Sequence, residues 1–320
     1  MTPNAALEAF DEKLARANIR GQWKSEGFLN ASIGGPRPAG QAVKWAWAEL
    51  MSHMDGAGEV MRESGQARRA LMFHNPGLPR GATHTINFGV QMIMPGETAW
   101  AHRHSIAALR FIIKGSDNLT SVIDGERCVM EDFDLVLTPN WSWHDHHNKS
   151  SKPAYWLDVL DVPLVLNLNQ SFYEPGTGED QPDLGPDFVP HPQLRYPWRE
   201  TQARLMSAPL DRHDGHRHDY LNPNTGGATL PTLSCHVLRL PPGFEGAPRR
   251  RTSSAVYFVL RGEGVLEIGD QKITFQKFDS LVAPNFMRTR FVNMSKTQDA
   301  VLFSVEDTPV LKALGYYREV

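Results

Sequence analysis

The chain repeats itself, and the repeat restricts its fold more than any other feature. A segment running from Pro95-Gly96 to Gly115 returns as Pro242-Gly243 to Gly262, with the same 19-residue separation of the glycines. Downstream, Asp134-x4-Pro139 returns as Asp279-x4-Pro284. Two copies of one pattern imply two copies of one small domain, and 320 residues are enough for two cores. Within each copy, short apolar runs alternate with Gly, Pro, Asn and Asp turn signals, which predicts a mainly β chain. The copies differ in chemistry. Where the first has His102, His104 and His144, the second has Arg249, Arg251 and Thr289. A protonated guanidinium cannot ligate a metal, so a metal is expected only in the first half. The second is read as structural and oligomeric, with anion binding by Arg249-Arg250-Arg251 as the alternative.

Two histidines one residue apart on a strand share a face, because side chains alternate with period two. His102 and His104, joined by His144 from a distant strand, would form a facial set of three imidazoles suited to Fe(II), Mn, Ni or Zn. A lone His-x-His also occurs on solvated edge strands; the surrounding punctuation favours the metal. The same parity sends Arg110 inward beside the metal, where its planar fork suits a carboxylate, or else a structural aspartate. His146 shares the face of His144 and is a candidate for proton transfer. Asp158 is expected either to support a ligand or the pocket, or to pair with Arg110 or Arg127.

The pattern Gly96-x5-His102-x-His104…Gly115, then Asp134-x4-Pro139-x4-His144-x3-Asn148, resembles the paired motifs of the cupin superfamily. The usual cupin glutamate falls at Ala108, which leaves three neutral ligands and a site of net charge +2, attractive to an anionic chelator. Ala101-His102-Arg103-His104, Ala108-Leu109-Arg110-Phe111, Leu137 to His146 and Trp156 to Leu164 resemble gentisate 1,2-dioxygenases and the related salicylate and 1-hydroxy-2-naphthoate dioxygenases. This resemblance implies a bicupin: two tandem double-stranded β-helix (jelly-roll) barrels with N-terminal helices. It also implies one Fe(II) per chain, a small aromatic hydroxy acid and O2 as substrates, cleavage between the carboxyl- and hydroxyl-bearing carbons, and a homotetramer. Arg68, Arg69 and Gln91 match family positions near the substrate or the metal-bound oxygen, at most one arginine of the pair facing inward. Asn87 stands where salicylate-type relatives carry a bulky aromatic. Gentisate and salicylates such as 5-nitrosalicylate both remain open as substrates. So do a metal-dependent isomerase or hydrolase, which would form product without oxygen, and a non-catalytic aromatic-acid-binding protein.

The rest of the chain is read around this centre. Thr2-Pro3 starts a helix that runs with Ala6, Phe10 and Leu14 toward Gly21, and Val43 to Met54 mark a second that stops at Gly56 and Gly58. The expected divisions are a helical arm over residues 1–65, the catalytic barrel over 66–165, a linker over 166–230 that wraps the barrel, and a degenerate barrel over 231–320. His213, His216 and His218 are assigned to a solvated loop. A net charge of −3 with mixed signs gives no basis for nucleic-acid or membrane partners. Cys128 and Cys235, outside any Cys-x-x-Cys spacing, read as reduced packing residues of a soluble cytoplasmic protein.

Overall fold

The computed structural model describes all residues except 1, 2, 26, 28, 29, 31, 62–68, 183 and 186–188, so Thr2 and Arg68 lie outside the described residues. It divides into two units, Met1–Arg37 and Pro38–Val320. In the first, helix α1 (Pro3–Arg16) is followed by a 3-10 turn, and Asp11 accepts the Trp23 indole N–H at 3.0 Å while pairing with Lys24. No described helix is long and apolar enough to cross a membrane.

The second unit holds two barrels. The first uses β2 (Arg69–Met72), β3 (Asn87–Ile93), β4 (Thr98–His104), β5 (Ala108–Lys114), β6 (Ser116–Ile123), β7 (Glu126–Met130), β8 (Leu135–Thr138), β9 (His144–Asn148), β10 (Ala154–Leu160), β11 (Tyr173–Pro175) and β12 (Arg195–Tyr196). The second uses β1 (Val43–Trp45) with β13 (Leu210–Asp211), β14 (Gly215–Tyr220), β15 (Ser234–Leu240), β16 (Arg249–Arg250), β17 (Ala255–Arg261), β18 (Gly264–Ile268), β19 (Gln271–Phe275), β20 (Ser280–Ala283), β21 (Arg288–Val292) and β22 (Ala300–Glu306). The first barrel is formed by sheets β12-β8-β5-β10-β3-β2 and β11-β4-β9-β6-β7. Sheets β1-β20-β17-β22-β15-β14-β13 and β16-β21-β18-β19 form the second.

Strand β5 shows how one short sequence builds both a core and a site. Arg110 points into the first barrel, while Leu109, Phe111 and Ile113 point out and join the core shared with the second, where Phe111 stacks on Phe303 at 4.1 Å. Full burial of such a side chain contributes about 1.5–3 kcal/mol. At the β6–β7 hairpin, Asp124 and Gly125 both adopt positive φ, as a tight two-residue turn requires.

The flanking elements are exchanged between barrels. β1 and helix α2 (Trp47–Val60) precede the first barrel but attach to the second: β1 pairs with β20, and Asp279 accepts the Trp47 N–H at 3.1 Å. β12 and helix α4 (Trp198–Ser207) precede the second barrel but attach to the first: β12 pairs with β8, and Asp134 accepts the Trp198 N–H at 2.8 Å. The repeated aspartates therefore each hold a helix start donated by the other half, where a negative charge is favoured. Residues 38–60, expected in the arm, thus belong to the body. Helix α2 also continues through Gly56 and Gly58, since glycine weakens a helix without ending it.

Between the exchanged pieces lie two short helices, α3 (Val162–Asn167) and, after the second barrel, α5 (Thr308–Ala313). Each is preceded by an aspartate that ties the barrels together. Asp161 accepts the Ala107 N–H at 2.9 Å and the Thr232 hydroxyl at 2.7 Å. Asp307 accepts the Ser254 N–H at 2.8 Å and the Thr85 hydroxyl at 2.5 Å. Each thus binds a backbone amide of its own barrel and a threonine of the other. Burial pushes the Asp307 carboxyl up to about 7, against the lowering effect of these two donors. Thr85→Val is expected to cost about 1–3 kcal/mol by leaving this buried carboxyl short of a donor, with Thr85→Ser restoring most of it. Denaturant midpoints would show it, and an unchanged midpoint in Thr85→Val would remove the clasp from the stability account.

The expected loop at 211–219 is a correction. Residues 215–220 form β14, paired with β13 on one side and β15 on the other. Its charged side chains face a polar cavity, so the strand carries no apolar alternation. The expected linker therefore contains part of the second barrel.

Candidate metal centre and substrate cavity

Strands β4 and β9 lie side by side with His102 opposite His144, which brings the three histidines together. Their ligand nitrogens lie within 4.8 Å of one another, the one such group of three His, Cys, Asp or Glu among the described residues. The exposures are 8, 9 and 0 % for His102, His104 and His144. Each Nδ1 contacts a backbone carbonyl two residues away: Trp100 at 2.8 Å, Ile106 at 2.8 Å and Ser142 at 3.0 Å. A carbonyl only accepts, so each Nδ1 carries the proton and each Nε2 offers its lone pair. Nε2 of His144 is buried without a hydrogen-bond partner. Burial, reinforced by Arg110 and the neighbouring histidines, holds His144 well below the usual imidazole range and so keeps it neutral. A buried lone pair in a neutral trio fits a divalent cation. Ala108, wholly buried on β5, adds no carboxylate as a fourth ligand.

Above the trio lies a cavity of about 300 Å³ lined by His102, His104, Gln91, Arg110, His146 and Asp158, with Ala70, Leu160, Phe172 and Tyr173 among its walls. Arg110 and Asp158 are direct partners across β5 and β10, with Nε 3.4 Å from Oδ1. The Arg110 Nη1 also donates to the Thr138 hydroxyl. That pairing holds a planar donor fork on a rigid sheet. His146 is 2 % exposed and packs between His144 and Trp156, with ring centroids at 5.9 and 5.3 Å. Gln91 enters from β3, opposite Trp156.

The structure removes two expected substrate contacts. Arg69 faces away from the cavity, pairing with Glu97 at 2.6 Å and donating to the Met61 carbonyl at 2.6 Å. On β2 it is the adjacent Ala70 that lines the cavity, as period-two alternation requires. Asn87 sits at the start of β3 opposite Leu160 and is not among the residues that line the cavity. The residues sequence reasoning missed are Phe172 and Tyr173. Their only sequence signal was a proline-rich segment expected to wrap the barrel, which identifies no particular side chain.

The second barrel has its own cavity, of about 660 Å³. Pairing of Arg249 with Thr289 on β16 and β21 reproduces that of His102 with His144. Here the cations are internal: Arg251 binds Glu306 at 2.6 Å, Arg249 binds Asp214, and Arg217 bridges Asp214 and Asp219 at 2.9 and 2.8 Å. Burial would raise the Glu306 carboxyl, but Arg251, His236 and Arg217 more than offset it and hold it well below the usual carboxylate range. Arg250 points outward over Phe286. With carboxylates already on Arg249 and Arg251, the basic run offers no surplus of positive charge to an anion.

The larger cavity thus has neutralised arginines, whereas the smaller has the imidazole trio, which makes the smaller the candidate site. Comparison with known proteins identifies the family. The Cupin domain family matches residues 89–160 and 236–306. The chain is 42 % identical to a 1-hydroxy-2-naphthoate 1,2-dioxygenase of Nocardioides sp. (strain KP7), over 98 % of this chain and 88 % of that protein. It is 39 % identical to a 5-aminosalicylate 1,2-dioxygenase of Comamonas sp., over 98 % of this chain and 90 % of that one. Among solved structures, the salicylate 1,2-dioxygenase of Pseudoaminobacter salicylatoxidans with gentisate superposes with a TM-score of 0.87 at 28 % identity, covering 100 % of this chain and 94 % of that one. Similarity this extensive, on a bicupin with one intact imidazole trio, places the chain in the family of ring-cleaving 1,2-dioxygenases.

Proposed function

We propose that this dioxygenase uses Fe(II), one per chain, to open gentisate or a related 2-hydroxybenzoate between the carboxyl- and hydroxyl-bearing carbons. The observation that carries the reading is the trio His102, His104 and His144 facing a cavity whose one deeply buried arginine, among the described residues, is Arg110. Iron held by the three imidazoles would supply chelation of the substrate and reaction with O2. The remaining work falls to the chain. Arg110, oriented by Asp158, binds the substrate carboxylate through its fork. His146 accepts or returns the phenolic proton at a ring nitrogen, and Gln91 hydrogen-bonds the substrate hydroxyl or the oxygen. A 5-substituted salicylate or 1-hydroxy-2-naphthoate is favoured by one observation: the relatives with 42 and 39 % identity are named for such substrates. We extend the reading to a homotetramer in the cytoplasm, supported by the family resemblance and testable by light scattering and fractionation.

Oxygen uptake by protein loaded anaerobically with Fe(II) tests the reading, comparing gentisate, salicylate, 5-substituted salicylates and 1-hydroxy-2-naphthoate. Rapid uptake with at least one is expected. No uptake despite one bound iron per chain would overturn it, and product formed without oxygen would indicate an isomerase or hydrolase. In the same assay Arg110→Met should keep its iron while KM for the acid rises about 10- to 100-fold, as expected for removal of a charge-assisted bond.

A further inference from the structure

The metal-binding strand has a second set of contacts, on its other face. Along His102-Arg103-His104-Ser105, alternate residues turn toward the metal, while the two between them hold the segment from Gln170 to Pro175. Arg103 donates from Nε and Nη2 to the Glu174 carboxylate at 2.9 and 2.6 Å. The Ser105 hydroxyl donates to the Gln170 carbonyl at 2.7 Å and accepts the Phe172 N–H at 2.9 Å. Strand β11 lies on β4 with Tyr173 opposite His104 and Glu174 opposite Arg103. Tyr173 therefore comes down on the metal side, its ring 5.7 Å from that of His102, and with Phe172 forms a wall of the cavity.

The Arg103 guanidinium is itself clamped. It stands 4.5 Å from the ring of Trp141 and 4.7 Å from that of Trp143, between the two. Trp141 adopts a φ of 64°, a conformation bulky residues rarely take, and its N–H donates to the His104 carbonyl at 2.8 Å. Phe172 meets the same Trp141 edge-on at 6.2 Å. One side chain thus fastens two pieces to the ligand strand, the strap and the loop leading into His144, and Phe172 of the strap also meets that loop's Trp141.

We infer that Arg103 is a positioning residue that locks the 170–175 strap against the metal-binding strand and so fixes the width of the substrate cavity. Strap, metal ligands and loop form one rigid frame, and the aromatic ring of the substrate is gripped between Tyr173 and the histidines. Arg103 contacts neither substrate nor metal. Its partner Glu174 is half exposed, so the ion pair alone contributes little, and the stacked tryptophans make the arrangement stiff. The inference rests on the proposed function for the nature of the ligand, an aromatic hydroxy acid.

The test uses full-length protein loaded anaerobically with Fe(II), so that binding is measured without turnover. Calorimetric titration with salicylate should show Kd rising about three- to ten-fold in Arg103→Met and by a smaller factor, about two- to three-fold, in Glu174→Gln, which loses only the exposed ion pair. The double variant should be no weaker than the worse single one, because the residues act as a unit. Arg103→Lys should fall between, keeping the charge but losing the planar stack. Iron per chain should match the wild type throughout, and in oxygen uptake KM should move with Kd while kcat changes less than about two-fold. Wild-type Kd in both single variants would overturn the inference, as would loss of iron in proportion to loss of binding. Failure of the wild type to bind any aromatic acid would overturn the functional reading instead.

Discussion

His104→Ala is expected to remove iron and activity together. Metal content should fall from about one per chain to below about a tenth, and oxygen uptake by at least about a thousand-fold, since the iron supplies the redox chemistry. The three imidazoles bring no negative charge, Ala108 supplies no carboxylate on β5, and the Asp158 carboxylate in the cavity is engaged by Arg110. His104 Nδ1 is tied to the Ile106 carbonyl, which fixes the ring before metal arrives, so the site loses a preorganised ligand as well as a donor. Strand β4 remains held by β9 and β11, so the variant should fold. Metal analysis beside circular dichroism would check this, and a variant retaining full iron would remove His104 from the ligand set.

The largest stability effect is expected in the second barrel. Arg251→Met strips Glu306 of its shortest ion pair while leaving the carboxylate wholly buried, with Arg217 at 3.9 Å and His236 at 3.6 Å as remaining charged partners. Loss of one member of a buried pair costs about 3–5 kcal/mol, and those neighbours should keep the value at the lower end. The pH dependence has a definite sign. In the wild type the folded-state pKa of Glu306 is depressed, so its contribution is present above the unfolded value, about 4.3, and fades as pH falls through the folded one. Without Arg251, burial dominates and the folded pKa moves up, so the variant gains relative stability as pH falls and Glu306 protonates. The gap between the proteins should therefore be widest near neutral pH and narrow toward pH 4. A gap independent of pH would mean that lost packing, and not the Glu306 charge, accounts for the change.

What the sequence revealed and what it concealed follow from the range of the interactions. His102 and His104 were legible as a pair because parity along one strand is local, and His144 because the turn punctuation aligned it with the repeat; Arg110 reaches the same cavity from the next strand, β5, and not along the strand of the histidines. The β6–β7 hairpin was legible in Asp124-Gly125. Arg69 was not, since two adjacent arginines look alike until the strand's face is known, and Glu97, which fixes it, lies in the β3–β4 connection. Strand β14 was hidden because Arg217 and Asp219 on one face line a wet cavity and the other face carries His216 and His218, so apolar alternation has no reason to appear. The strap at Tyr173 and the exchange of β1 and α2 depend on pairings distant along the chain, for which no short window carries a signal.

That exchange bears on how the protein is made. Trp45 and Trp47 emerge from the ribosome among the first structured residues of the body, yet the strand and aspartate that receive them, β20 and Asp279, are translated near the end. At about 5–20 residues per second the delay is on the order of ten to fifty seconds. During that time the open edge of β1 and the Trp47 indole, whose ring partners are Phe258 and Phe278, lack their native partners, whereas Trp45 can already stack on Phe73; the exposed pieces invite capture by a chaperone or by another nascent chain. The first barrel completes earlier, once α4 has been synthesised, so the half that carries the imidazole trio can form while the body's opening segment is still waiting.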